Sequence, residues 1–120
     1  MTNEKLAKRV QQVPEGTVLF RDGDRGDEMY VIQRGRVRIF TEVKGREKLL
    51  AILGPGDFFG EMAILNDKPR TASAEVVEDA QLLSIDPKTF GAMIVSNTEI
   101  AVRLIKKLAR RLDSANTLID

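Results

Sequence analysis

A mainly β fold, flanked by helices and ending in a long C-terminal helix, is what this sequence predicts. Three observations predict it. Between Gly16 and Ile85, apolar residues recur at every second position in short runs, each broken by a glycine-containing turn. After Pro87 the spacing changes to threes and fours. From Thr98 to about Leu118 an apolar stripe then runs opposite a basic one without interruption.

Residues 3–12 place Leu6 and Val10, with Val13, among Glu4, Lys5, Lys8 and Arg9, the spacing of a short amphipathic helix that Pro14 ends. Thr17 to Phe20 reads as a brief strand and Arg21-Asp22-Gly23-Asp24 as a turn, on its Asp-Gly pair. Glu28 to Arg34 is the next strand, with Tyr30 and Ile32 on one face and Met29 and Val31 on the other. Gly35 turns the chain into Arg36 to Val43, the clearest half-buried strand. There Val37, Ile39, Thr41 and Val43 alternate with Arg36, Arg38 and Glu42. Lys44-Gly45-Arg46 leads into a strand from Lys48 to Leu53, and Gly54-Pro55-Gly56-Asp57 is a second tight break. Ala80 to Ile85 forms the last strand. Short strands at such intervals, punctuated by glycine turns, argue for a β-roll or jelly roll. Pro87 suits the first position of a helix capped by Asp86 and holding Phe90, Met93 and Ile94. Ser96-Asn97-Thr98-Glu99 has capping-box form and starts the longest helix. Its apolar side is Ile100 or Ala101, Leu104, Ile105, Leu108, Leu112, Ala115 and Ile119, and its basic side Arg103, Lys106, Lys107, Arg110 and Arg111. Such a stripe lies across the β-roll or pairs with a copy of itself.

Composition bounds the function. The 120 residues make one domain, 1–120, with the β-roll over about 14–86 and the C-terminal helices over about 87–118. At 42% apolar, 31% charged and net charge +1, nothing global draws the chain to DNA or to a membrane. The absence of cysteine excludes disulfides and thiolate chemistry, and the absence of histidine removes the commonest general base and metal ligand together. No apolar run approaches the roughly 20 residues of a membrane span and no signal peptide opens the chain, so a cytoplasmic location is expected. With no clustered carboxylates either, no catalytic residue, metal ligand or cofactor is expected, and the chain reads as a non-enzyme.

The stretch from Phe58 to Val76 organises the rest. Gly60-Glu61 opens a short apolar helix, Met62-Ala63-Ile64-Leu65; Asn66-Asp67-Lys68-Pro69 is a polar loop; Arg70-Thr71 then enters a strand beginning with Ala72. The unpaired N–H groups of a helix start attract an anion, and glycine allows that anion close to the backbone. Arg70 offers a planar fork suited to phosphate oxygens. Glu61, an acceptor only, repels phosphate but suits a sugar hydroxyl. A phosphate and a ribose hydroxyl held side by side describe a small nucleotide.

Phe59-Gly60-Glu61-Met62-Ala63 and Pro69-Arg70-Thr71-Ala72 resemble the phosphate-binding cassette of the cyclic nucleotide-binding domain family, F-G-E-[LM]-A and P-R-[TA]-A at the family's usual spacing, and the likeness extends over most of the chain. The resemblance implies a cyclic nucleotide sensor: an eight-stranded β-roll (double-stranded β-helix or jelly roll) with a long C-terminal helix over one ligand. It puts the phosphate on Arg70 and on the backbone of Gly60, Met62 and Ala63, and the ribose 2′-hydroxyl on Glu61. Thr71 and Ala72 then lie beside the phosphate or purine, and Ile39 and Leu50 pack on the base. The implied ligand is cAMP, with cGMP kept open by the hydroxyl of Thr71. Bacterial activators of the family carry a Thr-Ser pair after the Arg-Arg-Leu of the long helix; here Arg110-Arg111-Leu112 is followed by Ala115-Asn116, leaving Asn116 for a base edge. The implied partners are the cyclic nucleotide and a second copy held through the C-terminal helix. A structural or dimerisation module of the same fold is the rival reading. Gly54, Gly56 and Gly60 miss dinucleotide-fingerprint spacing and read as turn glycines, and Arg25-Gly26-Asp27 reads as a turn.

Overall fold

The computed structural model describes the backbone of residues 8–119 and the side chains of residues 9–110. Six strands, β1 (Lys8–Val13), β2 (Val18–Phe20), β3 (Met29–Val43), β4 (Arg46–Leu53), β5 (Phe58–Phe59) and β6 (Ser73–Ile85), build one antiparallel sheet among the described residues. Its order is β1-β6-β3-β4, with β2 also on β6 and β5 also on β3. The helices are α1 (Glu61–Asn66), α2 (Pro87–Ser96) and α3 (Thr98–Ile119). The chain divides into two compact units, Met1–Thr89 and Phe90–Asp120.

This is the mainly β architecture with flanking helices that the alternating pattern predicts. Among the described residues the strands number six by hydrogen bonding: two stretches expected as pairs run through as β3 and β6, and β1 and β5 are added. Gly35 is not a turn but an interruption inside β3, whose pairing with β6 shifts register between Ile32 and Arg34, between Arg34 and Arg36, and again before Val37. Such shifts bend a long strand and increase its twist, which lets one strand serve both legs of a roll. At φ 90° Gly35 occupies a conformation that glycine alone adopts without strain, and it leaves no room for a side chain against the backbone of Asp79 and Ala80.

The N-terminal expectation is corrected. Residues 8–13 form a strand, not the end of a helix, with Val10 opposite Leu83 and Val13 opposite Ala80 on β6. A free ladder edge on β6 outweighs a weak helical period, and β-branched Val10 and Val13 suit a strand. Leu6 and the rest of residues 3–7 lie outside the described residues. Val13 is buried, whereas Val10 is 56% exposed, so the two do not share one covered face.

The core draws on alternate positions. Tyr30, Ile32, Val37, Ala74, Val76, Ala80 and Leu82 are buried together with Phe59, and Leu19, Phe20, Ile39 and Leu53 pack against them. Met29, expected on the face opposite Tyr30, is buried as well. Phe40 breaks the β3 alternation: it lies on the arginine-bearing face yet is buried, with the Arg38 guanidinium 3.9 Å above its ring. Arg38 is held in turn by Glu75 at 2.7 Å and Glu47 at 3.0 Å.

In α2 the expected cap is present: Asp86 Oδ1 accepts the Thr89 N–H at 2.8 Å, which holds the Asp86 carboxyl below its ordinary pKa. At the next helix the cap moves by one residue. Asn97 Oδ1 accepts the Glu99 N–H, while Ser96, the expected capping residue, ends α2 by donating its hydroxyl to the Ala92 carbonyl. Along α3, Leu104 is buried and Leu108 half-buried, but Ile105 is 63% exposed, so the expected stripe is only partly covered. Arg111, Leu112, Ala115, Asn116 and Ile119 belong to the part of α3 whose side chains lie outside the described residues.

Candidate functional site

The site begins where the sheet hands the chain to its shortest helix. β5 pairs Phe59 with Tyr30 on β3, and Gly60 then turns into α1 with φ 83°, a left-handed conformation that requires glycine. Glu61 follows as the first residue of α1 and is buried to 2% exposure, an unusual place for a carboxylate. Ala63 is buried and Met62 half-buried. Gly60, at the N-cap position of α1, has no side chain with which to cap the helix.

Arg70 arrives from the polar loop and is 6% exposed. Its Nη1 donates to the Gly60 carbonyl at 3.1 Å and its Nη2 to the Glu28 carbonyl at 2.8 Å. Its Nε–H is buried without a hydrogen-bond partner among the described residues. The guanidinium carbon lies 4.1 Å from the centre of the Phe20 ring. The backbone is tied on both sides: Arg70 N donates to Asp24 O at 2.8 Å, and Gly23 N donates to Arg70 O at 2.7 Å. That Gly23-Asp24 turn is pinned by Arg21 N on Asp24 Oδ2, by Asp22 N on Ser73 Oγ, and by Thr41 Oγ1 on Asp22 Oδ2.

The electrostatics follow from burial. Burial pushes the pKa of Arg70 below its ordinary value, and Tyr30, Glu28, Asp27 and Asp24 oppose the shift. Arg70 remains a cation at neutral pH, since a guanidinium does not lose its proton in proteins. A fork of five N–H donors that gives one bond to each of two carbonyls keeps donor capacity for an anion. Tyr30, below the same cluster, has its phenol pKa raised by burial and then by Glu28.

The structure brings Arg70 onto the Gly60 carbonyl, one residue before the buried Glu61. Thr71 is exposed and Ala72 half-buried at the entrance to β6. Ile39 faces Ala74 across the β3–β6 ladder, two strand positions beyond Ala72, and is half-buried. Leu50 is not gathered in with them: it sits at the register shift in β4 between Leu49 and Ala51 and is 51% exposed. The side chain of Asn116 lies outside the described residues. Sequence reasoning missed Phe20, Gly26 and the Glu28 carbonyl. A Cβ on Gly26 would lie 2.6 Å from Arg70 Nη2, so its neighbourhood is no generic turn. The signal available was the paired glycines Gly23 and Gly26 among carboxylates, which reads as a turn whether or not an arginine lies beneath.

Residues 10–97 match the sequence model of the family described as "Cyclic nucleotide-binding domain". The chain is 42% identical over 108 residues to a cyclic AMP receptor protein of Thermus thermophilus, covering 89% of this chain and 50% of that one. The crystal structure of the Thermus thermophilus catabolite activator protein superposes with a TM-score of 0.86 at 39% identity, covering 94% of this chain and 54% of that one. The regulatory domain of Toxoplasma gondii PKA, crystallised with cAMP, superposes with a TM-score of 0.69 at 34% identity over 72% of this chain and 33% of that one. The chain belongs to the cyclic nucleotide-binding domain family and is a regulatory domain of that class. It spans about half the length of the Thermus thermophilus and Mycobacterium tuberculosis relatives it matches. Among the described residues no helix is long and apolar enough to cross a membrane.

Proposed function

We propose that this domain senses cAMP, with cGMP as the alternative ligand, and that the cyclic phosphate rests on Arg70 and the first turn of α1. The observation that carries the reading is the state of Arg70, a buried fork held by two carbonyls, its Nε–H without a hydrogen-bond partner among the described residues. Glu61 accepts the ribose 2′-hydroxyl, Thr71 and Ala72 border the phosphate or purine, and Ile39 and Leu50 with Asn116 serve the base. The domain acts by binding and catalyses nothing, in keeping with a sequence that has neither histidine nor cysteine. It works in the cytoplasm as one domain, and α3 meets a second copy through its exposed Val102 and Ile105.

Replacing Glu61 by glutamine tests the ribose assignment. Wild-type protein should prefer cAMP to 2′-deoxy-cAMP by roughly tenfold or more, and Glu61→Gln should narrow that preference, because the carboxylate matters only when the hydroxyl is present. Competition titrations with both nucleotides decide it; equal preferences in the two proteins remove Glu61 from the contact set.

Signalling requires two states with different affinity for the ligand. A packed sheet resists large motion, whereas Asn97, between α2 and α3, is a natural hinge. Saturating cAMP should therefore slow amide exchange from about Leu108 to Ile119 more than in β1 (Lys8–Val13). Hydrogen-exchange mass spectrometry with and without ligand reads this, and protection confined to residues 58–76 would leave α3 out of the switch.

A further inference from the structure

Phe20 ends β2 and Gly26 lies in the loop between β2 and β3, both far in sequence from the Arg70 guanidinium they border. Phe20 offers a ring face to the guanidinium at 4.1 Å. That ring is itself fixed, with its centre 6.1 Å from the rings of both Tyr30 and Phe59. Gly26 borders another edge of the fork without filling the space beside it. A Cβ there would lie 2.6 Å from Nη2, 2.7 Å from Nε and 2.9 Å from the guanidinium carbon. A point nearer to both nitrogens than to the carbon between them lies off the Nε–Nη2 edge of the fork rather than over its face. Phe20 thus sets the plane of the fork, the Gly60 and Glu28 carbonyls hold its two terminal nitrogens, and Gly26 supplies the space its remaining edge needs.

We infer that Phe20 and Gly26 are positioning residues for the ligand phosphate, acting through Arg70; this rests on the phosphate site proposed above. Gly26 is the sharper probe. It is absent from the glycines with positive φ, so alanine fits its backbone without strain. The atoms that its Cβ would strike belong to the far end of one long side chain, not to backbone. Gly26→Ala therefore moves Arg70 and leaves the fold in place. The contrast is Gly60, where the nearest atom is also an Arg70 nitrogen but φ is 83°, so that substitution confounds strain with displacement.

The experiment has two arms. In the first, free protein labelled with 15N-arginine is examined by NMR. The Arg70 Nε–H signal should be shielded by the Phe20 ring, should lose that shielding in Phe20→Leu, and should move in Gly26→Ala while thermal unfolding of Gly26→Ala stays at the wild-type midpoint. In the second, cAMP is titrated calorimetrically into wild type, Gly26→Ala, Arg70→Lys and the double variant. Gly26→Ala should lose about tenfold or more in affinity. In the Arg70→Lys background the same change should matter by less than about twofold, since no fork remains to displace. Equal losses in both backgrounds, or an Arg70 signal unmoved by either substitution, would overturn the inference and leave Phe20 and Gly26 as packing only. If wild-type protein binds no cAMP, the phosphate reading falls on its own, and the NMR arm still decides whether the two residues hold the arginine.

Discussion

Arg70→Ala is expected to weaken cyclic nucleotide binding by about 2–4 kcal/mol, roughly thirty- to a thousandfold in Kd. The size follows from where the arginine sits. It is 6% exposed, so a phosphate held there has exchanged much of its water for charge-assisted bonds, and removing the cation leaves an anion facing a site without that charge. Arg70→Lys should recover only part of the loss, because an ammonium restores the charge but not a planar fork braced by Phe20, Gly60 and Glu28. The free domain should remain folded in both variants. Calorimetric titration with circular dichroism on the same samples separates lost binding from lost structure, and unchanged affinity in Arg70→Ala would remove the site from where it is placed here.

A second large effect concerns stability. In Gly35→Ala the new Cβ would lie 2.4 Å from the Asp79 carbonyl oxygen, 2.6 Å from Ala80 Cα and 2.7 Å from the Glu78 carbonyl oxygen, all backbone atoms of β6. None can swing aside as a side chain would. The φ of 90° adds strain for any L side chain. Together these should cost about 3 kcal/mol or more, lowering the unfolding midpoint by roughly 10 °C or more. A denaturant titration checks it; a loss under about 0.5 kcal/mol would mean that β3 and β6 can separate at this point without penalty.

The contrast between these two glycines shows what a sequence discloses. Gly60 is legible because what it meets lies within a dozen residues: α1 starts directly after it and Arg70 reaches back to its carbonyl. Gly35 reads as a turn because a glycine between two alternating runs looks the same whether the chain reverses or only bends; the difference lies in β6, more than forty residues onward. The half-buried strand from Arg36 to Val43 is legible because burial on one face writes a period of two. Phe40 escapes that rule because Arg38 covers it from the solvent side, a pairing that hydrophobicity does not encode. Lys8–Val13 fails for the opposite reason. Its strand state comes chiefly from the edge of β6 that it completes, which two β-branched valines favour but do not announce. The Glu28 carbonyl that holds Arg70 is a backbone atom and has no letter in the sequence.

The central claim, that this domain takes up a cyclic nucleotide through the Arg70 site, is tested most directly by calorimetric titration of the wild-type protein with cAMP and with cGMP, alongside 5′-AMP as the open-phosphate control. Saturable binding of about one cyclic nucleotide per chain, tighter than 5′-AMP by roughly tenfold or more, is the predicted result. No saturable heat with either cyclic nucleotide, from protein shown to be folded, would contradict it.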